Sequence, residues 1–208
     1  MTSQRPTLVL GTRNRKKGME LAELFEPLGL TVRTLADVDN PIEVREDGET
    51  FAANAALKAI GQARHLDAWV LGEDSGLKVD ALGGAPGIYS ARFSGLKATD
   101  LSNNRLLLEK LAATPSEQRS AHYVCHMTLS DPRGEIRAEA DGICRGRIIG
   151  EPRGGHGFGY DPLFEVVEYH QTFGQLGPRA KAVLSHRSRA ARRLIPQLIA
   201  LLDSGQWR

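Results

Sequence analysis

Two adjacent acids, Glu73 and Asp74, are the first residues in this sequence with the makings of a reactive centre. They follow the apolar run Ala68-Trp69-Val70-Leu71, which predicts a short buried strand ending at Gly72. Ser75-Gly76 comes next. Acids at a strand end beside a glycine turn are where α/β proteins commonly hold metal ions and general bases. Asp, Ser and Gly are equally ordinary turn residues, so a solvated turn is the alternative. A further acid-rich stretch, residues 37–47, contains Pro41 and carries Glu43, Glu46 and Asp47 just before Gly48.

Basic residues gather at two places. Thr12-Arg13-Asn14-Arg15-Lys16-Lys17 separates the strand pattern of residues 7–11 from a helix with Leu21, Leu24, Phe25 and Leu28 on one face. Helix-start N–H groups favour anions, whereas lysine and arginine in a first turn oppose the helix dipole. A bound phosphate would remove that conflict; a capped, solvated basic turn is the plainer reading. The glycine spacing of a P-loop is absent. Near the other end, Lys181 precedes Ser185-His186-Arg187, where Ser185 can cap a helix with the stripe Ala191, Leu194, Ile195, Leu198, Leu201 and Leu202. Pro196 lies within that stripe and predicts a bend.

Between these ends lie two glycine-rich blocks, Gly83-Gly84-Ala85-Pro86-Gly87 and residues 150–162. The second holds Gly157-Phe158-Gly159-Tyr160-Asp161-Pro162. Its glycines allow unusual backbone and close approach to a ligand, and its aromatics could stack on a flat base. It leads into a strand, so it is a poor Rossmann fingerprint. His122 and His126 share a strand face but lack a third ligand, which argues against a metal site.

The elements that must position these groups read as an α/β chain. Strands are expected at 7–11, 31–35, 68–71, 121–130, 135–149 and 163–167, and residues 169–178 as a loop. Helices are expected at 49–66, with Asn54 and Lys58 on one face, and from the Thr99-Asp100 cap to Leu111. The 208 residues suit one large domain or two lobes sharing a core. A net charge of +2 is too mild to argue nucleic-acid binding. No apolar run is long enough to span a bilayer, and the first residues lack a signal peptide's apolar region. Cys125 and Cys144 have neither disulfide-framework nor metal-ligand spacing, so reduced thiols in a cytoplasm are expected.

In this order and at similar spacing, Thr12-x-Asn14-x-x-Lys17, Asp74-Ser75-Gly76, residues 83–92, residues 157–162 and Ser185-His186-Arg187 resemble the inosine/xanthosine triphosphate pyrophosphatases. The resemblance covers nearly the whole chain. The two long blocks are specific, whereas Thr-x-Asn-x-x-Lys alone would be weak. The chain departs from the family pattern at Glu73, where an aspartate is frequent, and at Ala180 and Ala182, which flank Lys181.

The resemblance implies an α/β fold: a long, twisted mixed β-sheet flanked by helices, with two lobes enclosing an active-site cleft. Residues 1–208 would form a single non-canonical purine NTP pyrophosphatase domain. It further implies a cytoplasmic homodimer that hydrolyses ITP, dITP and XTP to monophosphate and pyrophosphate with Mg²⁺. Glu46 and Asp74 match the metal ligands, and Asp74 is also the candidate base. Thr12, Arg13, Asn14, Arg15, Lys16 and Lys17 would hold the phosphates, with Lys58, Lys181 and Arg187 as further contacts. Ser75 would touch substrate beside Asp74, and Glu73 would either approach the metal or shape the turn. Phe158 would stack on the base. Gly159, the Tyr160-Asp161 region, His186 and Arg187 would line the base, with donors reaching its C6 oxygen. No nucleic-acid or membrane partner is expected. A phosphate-binding module without turnover leaves the clustered acids unexplained, because they would repel a nucleic-acid backbone. The related septum-inhibitor-like pyrophosphatases are disfavoured by the Gly-Gly-Ala-Pro-Gly block.

Overall fold

The computed structural model describes residues 5–207. Strands are β1 (Thr7–Leu10), β2 (Thr31–Thr34), β3 (Val70–Val79), β4 (Ser120–Ser130), β5 (Ile136–Ile148), β6 (Phe164–Val166) and β7 (Gln171–Thr172). Helices are α1 (Arg15–Phe25), α2 (Phe51–Leu66), α3 (Asp100–Lys110), α4 (Phe173–Leu184) and α5 (His186–Asp203). The strands form one mixed sheet in the order β2-β1-β3-β4-β5-β6-β7. β1 pairs in parallel with both β2 and β3, while β6 pairs antiparallel with β5 and β7.

The chain divides into two compact units. The first comprises the described residues up to Asp74, Cys125–Gly142 and those from Arg187 onward. In it, the chain leaves β1 through α1 to β2 on one side, then returns through α2 to β3 on the other. The gap between the ends of β1 and β3 is therefore a topological switch point, where open α/β sheets bind ligands. The register sets Leu10 opposite Leu71, and Gly11 N donates to Leu71 O at 2.8 Å. Gly72, Glu73 and Asp74 thus follow on directly beside the Thr12–Asn14 turn.

Alternation along β3 sorts its side chains. Leu71 joins Leu8, Leu10, Cys125 and Met127 in the core that receives Leu21 and Phe25 of α1 and Leu194 and Leu198 of α5. Val70 joins Val9, Leu35 and Ala63 on the α2 side. Gly72 has the parity of Val70. A Cβ there would lie 2.7 Å from Ala59 N and closer still to Ala55 O, so glycine lets the α2 backbone rest on the strand. Ala55, Ala59 and Ala63 supply the matching small face. Gly72→Ala is therefore an overpacking change. A loss of about 1–3 kcal/mol in chemical denaturation is expected, and an unchanged midpoint would show that α2 does not sit this close.

The second unit comprises Ser75–Val124 and Ile143–His186. Its core gathers Leu77 and Val79 of β3, Leu107 of α3, Tyr123 of β4, Phe164 of β6 and Phe173 of α4. Thr99 closes a capping box at the start of α3, as its sequence predicts, with Thr99 Oγ1 accepting from Ser102 N at 3.1 Å.

Two expectations need correction. The strand does not stop at Gly72; β3 runs on to Val79, so the two acids stand on a strand and not in a turn. Residues 169–178 are not a loop either, since β7 and the first half of α4 lie there. Thr172 caps α4 by accepting from Gln175 N at 3.2 Å, and Gly177, at φ 76°, kinks it before Pro178. Pro196 lies inside α5, which continues past it to Asp203. Among the described residues, no helix is long and apolar enough to cross a membrane.

Candidate active site

In the first unit, Glu73 and Asp74 meet different cations because successive strand residues face opposite ways. Glu73 points to the α1/α5 side, where its side chain is fully buried. Lys17 Nζ lies 2.9 Å from Oε2, Arg187 lies 3.1 Å from Oε1, and Cys125 Sγ donates to Oε1 at 3.5 Å. The thiol is pushed well above its ordinary value, first by burial and then by Glu73, so it remains a donor. Arg187 is also buried and pairs with Glu20 of α1 as well as Glu73. Burial disfavours its charge, but these two carboxylates outweigh that and raise its pKa.

Asp74 faces α2. Asn54 Nδ2 donates to its Oδ2 at 3.3 Å, and Lys58 Nζ to its Oδ1 at 3.1 Å. The same ammonium lies 2.9 Å from Glu46 Oε2. Asn54 Oδ1 accepts from Gly48 N at 2.9 Å, and Gln62 Nε2 donates to Ile42 O at 2.6 Å. Asn54, Lys58 and Gln62 recur every four residues, one face of α2, and together fasten the 42–48 loop that carries Glu46. Asp74 has a raised pKa: burial dominates and neighbouring Glu73 adds to it, against the pull of Lys58 and Lys17. Lys58 would be lowered by burial, yet Asp74, Glu73 and Glu46 raise it, so it stays charged.

The Thr12–Lys17 loop ends β1 and opens α1. Asn14 Oδ1 accepts from Lys17 N at 3.2 Å, and Thr12 Oγ1 from Asn14 N at 3.2 Å. The two side chains thus shape the basic turn themselves. Arg13, Arg15 and Lys16 are exposed. Thr12, Arg13, Asn14 and Arg15 line a groove of about 620 Å³ with Thr34 and Asp37.

In the second unit, the Gly-rich loop is not a free linker. His156 N donates to Gly174 O at 3.0 Å, Gly174 N to Asp161 O at 3.0 Å, and Thr172 Oγ1 to Arg153 O at 2.7 Å. Buried Asp161 accepts from Phe158 N at 2.9 Å, Tyr123 Oη at 3.3 Å and Lys181 Nζ at 2.6 Å. The Lys181 ammonium also sits 4.2 Å from the Phe158 ring centroid. His186 stacks on Tyr123, with centroids 4.7 Å apart. Tyr160 is buried and donates to Ser90 O at 2.9 Å, so the loop's second aromatic serves as an anchor. Ser75 is half-buried on β3.

Each unit therefore assembles part of the expected residue set. Lys58, Glu46 and Asp74 make one ion-pair set and Lys17, Glu73 and Arg187 a second on the opposite face of β3; Phe158, Asp161 and Lys181 make another group, with His186 stacked on the same Tyr123 that bonds Asp161. Lys181, expected among the phosphate contacts, stands with Phe158. Arg187, expected both among the phosphate contacts and at the base, pairs with Glu20 and Glu73. Asn54 was named from the sequence only as sharing a face with Lys58, without a role; Glu20 and Tyr123 were not singled out. Asn54 had a local signal, one turn before Lys58 on the same face; Glu20 and Tyr123 had none. His122 and His126 pair with Asp80 and Glu139 respectively. Among the described residues, no three His, Cys, Asp or Glu side chains converge as a ligand set.

Comparison with known proteins agrees with this architecture. The sequence model of the Ham1 family matches residues 8–197. A dITP/XTP pyrophosphatase of Rhodopirellula baltica is 55% identical over 197 residues, which is 95% of each chain. A dITP/XTP pyrophosphatase of Desulforamulus reducens is 46% identical over 89% of this chain and 92% of its own. The solved Ham1 protein of Coxiella burnetii superposes with a TM-score of 0.84 at 34% identity, over 96% of this chain and 99% of its own. The Staphylococcus aureus Ham1 protein gives 0.81 at 36% identity, with the same coverage. Matched along nearly its whole length in sequence and in fold, the chain belongs to the Ham1 family.

Proposed function

We propose that this protein hydrolyses non-canonical purine nucleoside triphosphates (ITP, dITP and XTP) to the nucleoside monophosphate and pyrophosphate. Residues 1–208 act as one catalytic domain, in a cytoplasmic homodimer. The observation that carries this reading is the shared Lys58 ammonium, 2.9 Å from Glu46 and 3.1 Å from Asp74, beside a basic loop at the sheet's switch point. Relatives covering almost the whole chain bear the name dITP/XTP pyrophosphatase, which supports the substrate class.

Two carboxylates converging on one cation suit Mg²⁺, which takes a few carboxylates together with phosphate oxygens and water. Glu46 and Asp74 would hold it. When bound, it neutralises charge on the phosphate oxygens. The chain's own residues do the rest. The basic turn from Thr12 to Lys17 and Lys58 hold the triphosphate and offset its repulsion of an incoming water. Asp74 accepts that water's proton as oxygen bonds to the α-phosphorus. The bond to the bridging oxygen breaks and pyrophosphate leaves. Phe158 stacks on the base, and Lys181 and His186 stand beside it as donors.

A panel of nucleoside triphosphates assayed with Mg²⁺ for pyrophosphate and orthophosphate tests the reading. ITP, dITP and XTP should give pyrophosphate in equimolar amount with monophosphate, and excess chelator should abolish turnover. Stepwise orthophosphate release, or full activity in chelator, would overturn it.

A further inference from the structure

The geometry points to Asp100 and Asn104 of α3 as positioning residues that set the Phe158 ring for base selection. This rests on the base-reading role proposed above for the Phe158 loop. Glycines flank Phe158, Gly157 at φ 79° and Gly159 at φ 62°. Both conformations are left-handed and cost a glycine nothing sterically, so the segment needs restraint from elsewhere.

α3 supplies it. Asp100 Oδ2 accepts from Gly159 N at 2.9 Å, and Asn104 Nδ2 donates to Gly159 O at 3.0 Å. The two side chains lie four residues apart, on one face of the helix. They therefore take both backbone groups of a single residue, the one that follows Phe158. Asp161, on the far side of the turn, takes Phe158 N at 2.9 Å. Asp161 and Asp100 thus hold the peptides on either side of Phe158, and Asn104 the one after Gly159, which together set the Phe158 Cα–Cβ direction and the ring face beside Lys181. A hydrogen bond to a charged acceptor is stronger than a neutral one, so Asp100 is the firmer half of the clamp. Asn104 is the more specific half, since its amide must present nitrogen to a carbonyl. Buried among its neighbours at 9% exposure, it has little water to substitute for that bond.

Both bonds of the clamp go to Gly159, and the hydrolytic step is proposed at Asp74, which gives the clamp a distinctive signature. Loosening it should change which base is accepted while leaving the hydrolytic step intact. The decisive variant is Asn104→Asp. It keeps the volume and the helix but sets a carboxylate against the Gly159 carbonyl, acceptor facing acceptor. Asp100→Asn is the conservative partner, because its amide oxygen still accepts from Gly159 N.

The experiment measures kcat and KM for ITP and ATP in wild type, Asn104→Asp, Asp100→Asn and Leu108→Ala, with the melting temperature of each. Leu108 packs on the second unit's core from the same helix, so its truncation loosens α3 without touching Gly159. In Asn104→Asp, KM for ITP should rise about tenfold with kcat within about threefold of wild type. The ITP-over-ATP ratio of kcat/KM should fall by a similar factor of about ten, roughly 1.4 kcal/mol of lost discrimination. Asp100→Asn, which exchanges a charged acceptor for a neutral one, should lower the ratio less than Asn104→Asp, and Leu108→Ala should keep it, even where it melts at a lower temperature. A wild-type ratio near one would defeat the base-reading role itself. A large wild-type ratio that survives in Asn104→Asp, or that falls equally in Leu108→Ala, would defeat the clamp alone.

Discussion

Asp74→Asn is expected to lower kcat for ITP by about 10²–10⁴-fold while the protein stays folded. The substitution preserves the volume and an oxygen able to accept from Asn54 Nδ2, which now lies 3.3 Å from Oδ2. Lys58 keeps Glu46 as an ion-pair partner. What is lost is the negative charge that would help hold Mg²⁺ and pairs with Lys58, together with the basic oxygen able to take a proton from water. The neighbouring Glu73→Gln separates chemistry from architecture. Glu73 is buried between Lys17 and Arg187, and breaking a buried ion pair costs about 3–5 kcal/mol. Its effect should appear in the melting temperature, with less harm to kcat at temperatures where it remains folded. Circular dichroism melts and steady-state rates on both variants read this contrast. If Asp74→Asn keeps more than about a tenth of wild-type kcat, Asp74 is not the base. If Glu73→Gln proves catalytically worse while equally stable, the two acids have exchanged roles.

Why the sequence exposes some of this and hides the rest follows from how far each interaction reaches. The α2 stripe of Ala55, Ala59 and Ala63, the Thr99 cap and the basic turn before α1 are local patterns, and each stands where its periodicity or capping residue puts it. Residues 72–76 mislead because Gly, Glu, Asp and Ser read as a turn, whereas they belong to a strand covered on both faces. Gly72 is there for α2's close approach, and the acids are tolerated because Lys58 meets one and Lys17 and Arg187 meet the other. None of those partners lies within ten residues of the strand's acids, so no window reveals them. Residues 169–178 mislead for the opposite reason. Gly174, Gly177 and Pro178 suggest irregular chain, yet a kinked helix uses them: Gly177 takes the left-handed angle and Gly174 packs against the backbone of Arg153 and Gly154. The order of motifs along the chain was enough to indicate the family, but not which cation serves which acid.

That last distinction decides the expected base selectivity. Hypoxanthine and xanthine carry a keto oxygen at C6, an acceptor, where adenine carries an amine, a donor. Lys181 is an ammonium and offers donors only. It is held 2.6 Å from Asp161 and 4.2 Å from the Phe158 centroid, in the group proposed to take the base. Arg187, by contrast, has NH1 on Glu20 and NH2 on Glu73, so its contribution is to the buried ion-pair cluster. An adenine amine facing Lys181 leaves polar groups unpaired, about 1–3 kcal/mol for each buried group. ITP and XTP should therefore exceed ATP by at least about 10²-fold in kcat/KM, within the range a hydrogen-bonding site can reach. Lys181→Ala should shrink that ratio by about tenfold, chiefly by slowing the keto substrates. Arg15→Ala, at an exposed position of the phosphate turn, should lower kcat/KM for ITP and ATP alike and leave their ratio unchanged. Steady-state measurements on the three nucleotides with these variants make the comparison. A ratio preserved in Lys181→Ala would return the lysine to the phosphates. Equal turnover of ITP and ATP by the wild type would remove base reading from this site altogether, whatever the fate of the phosphate chemistry.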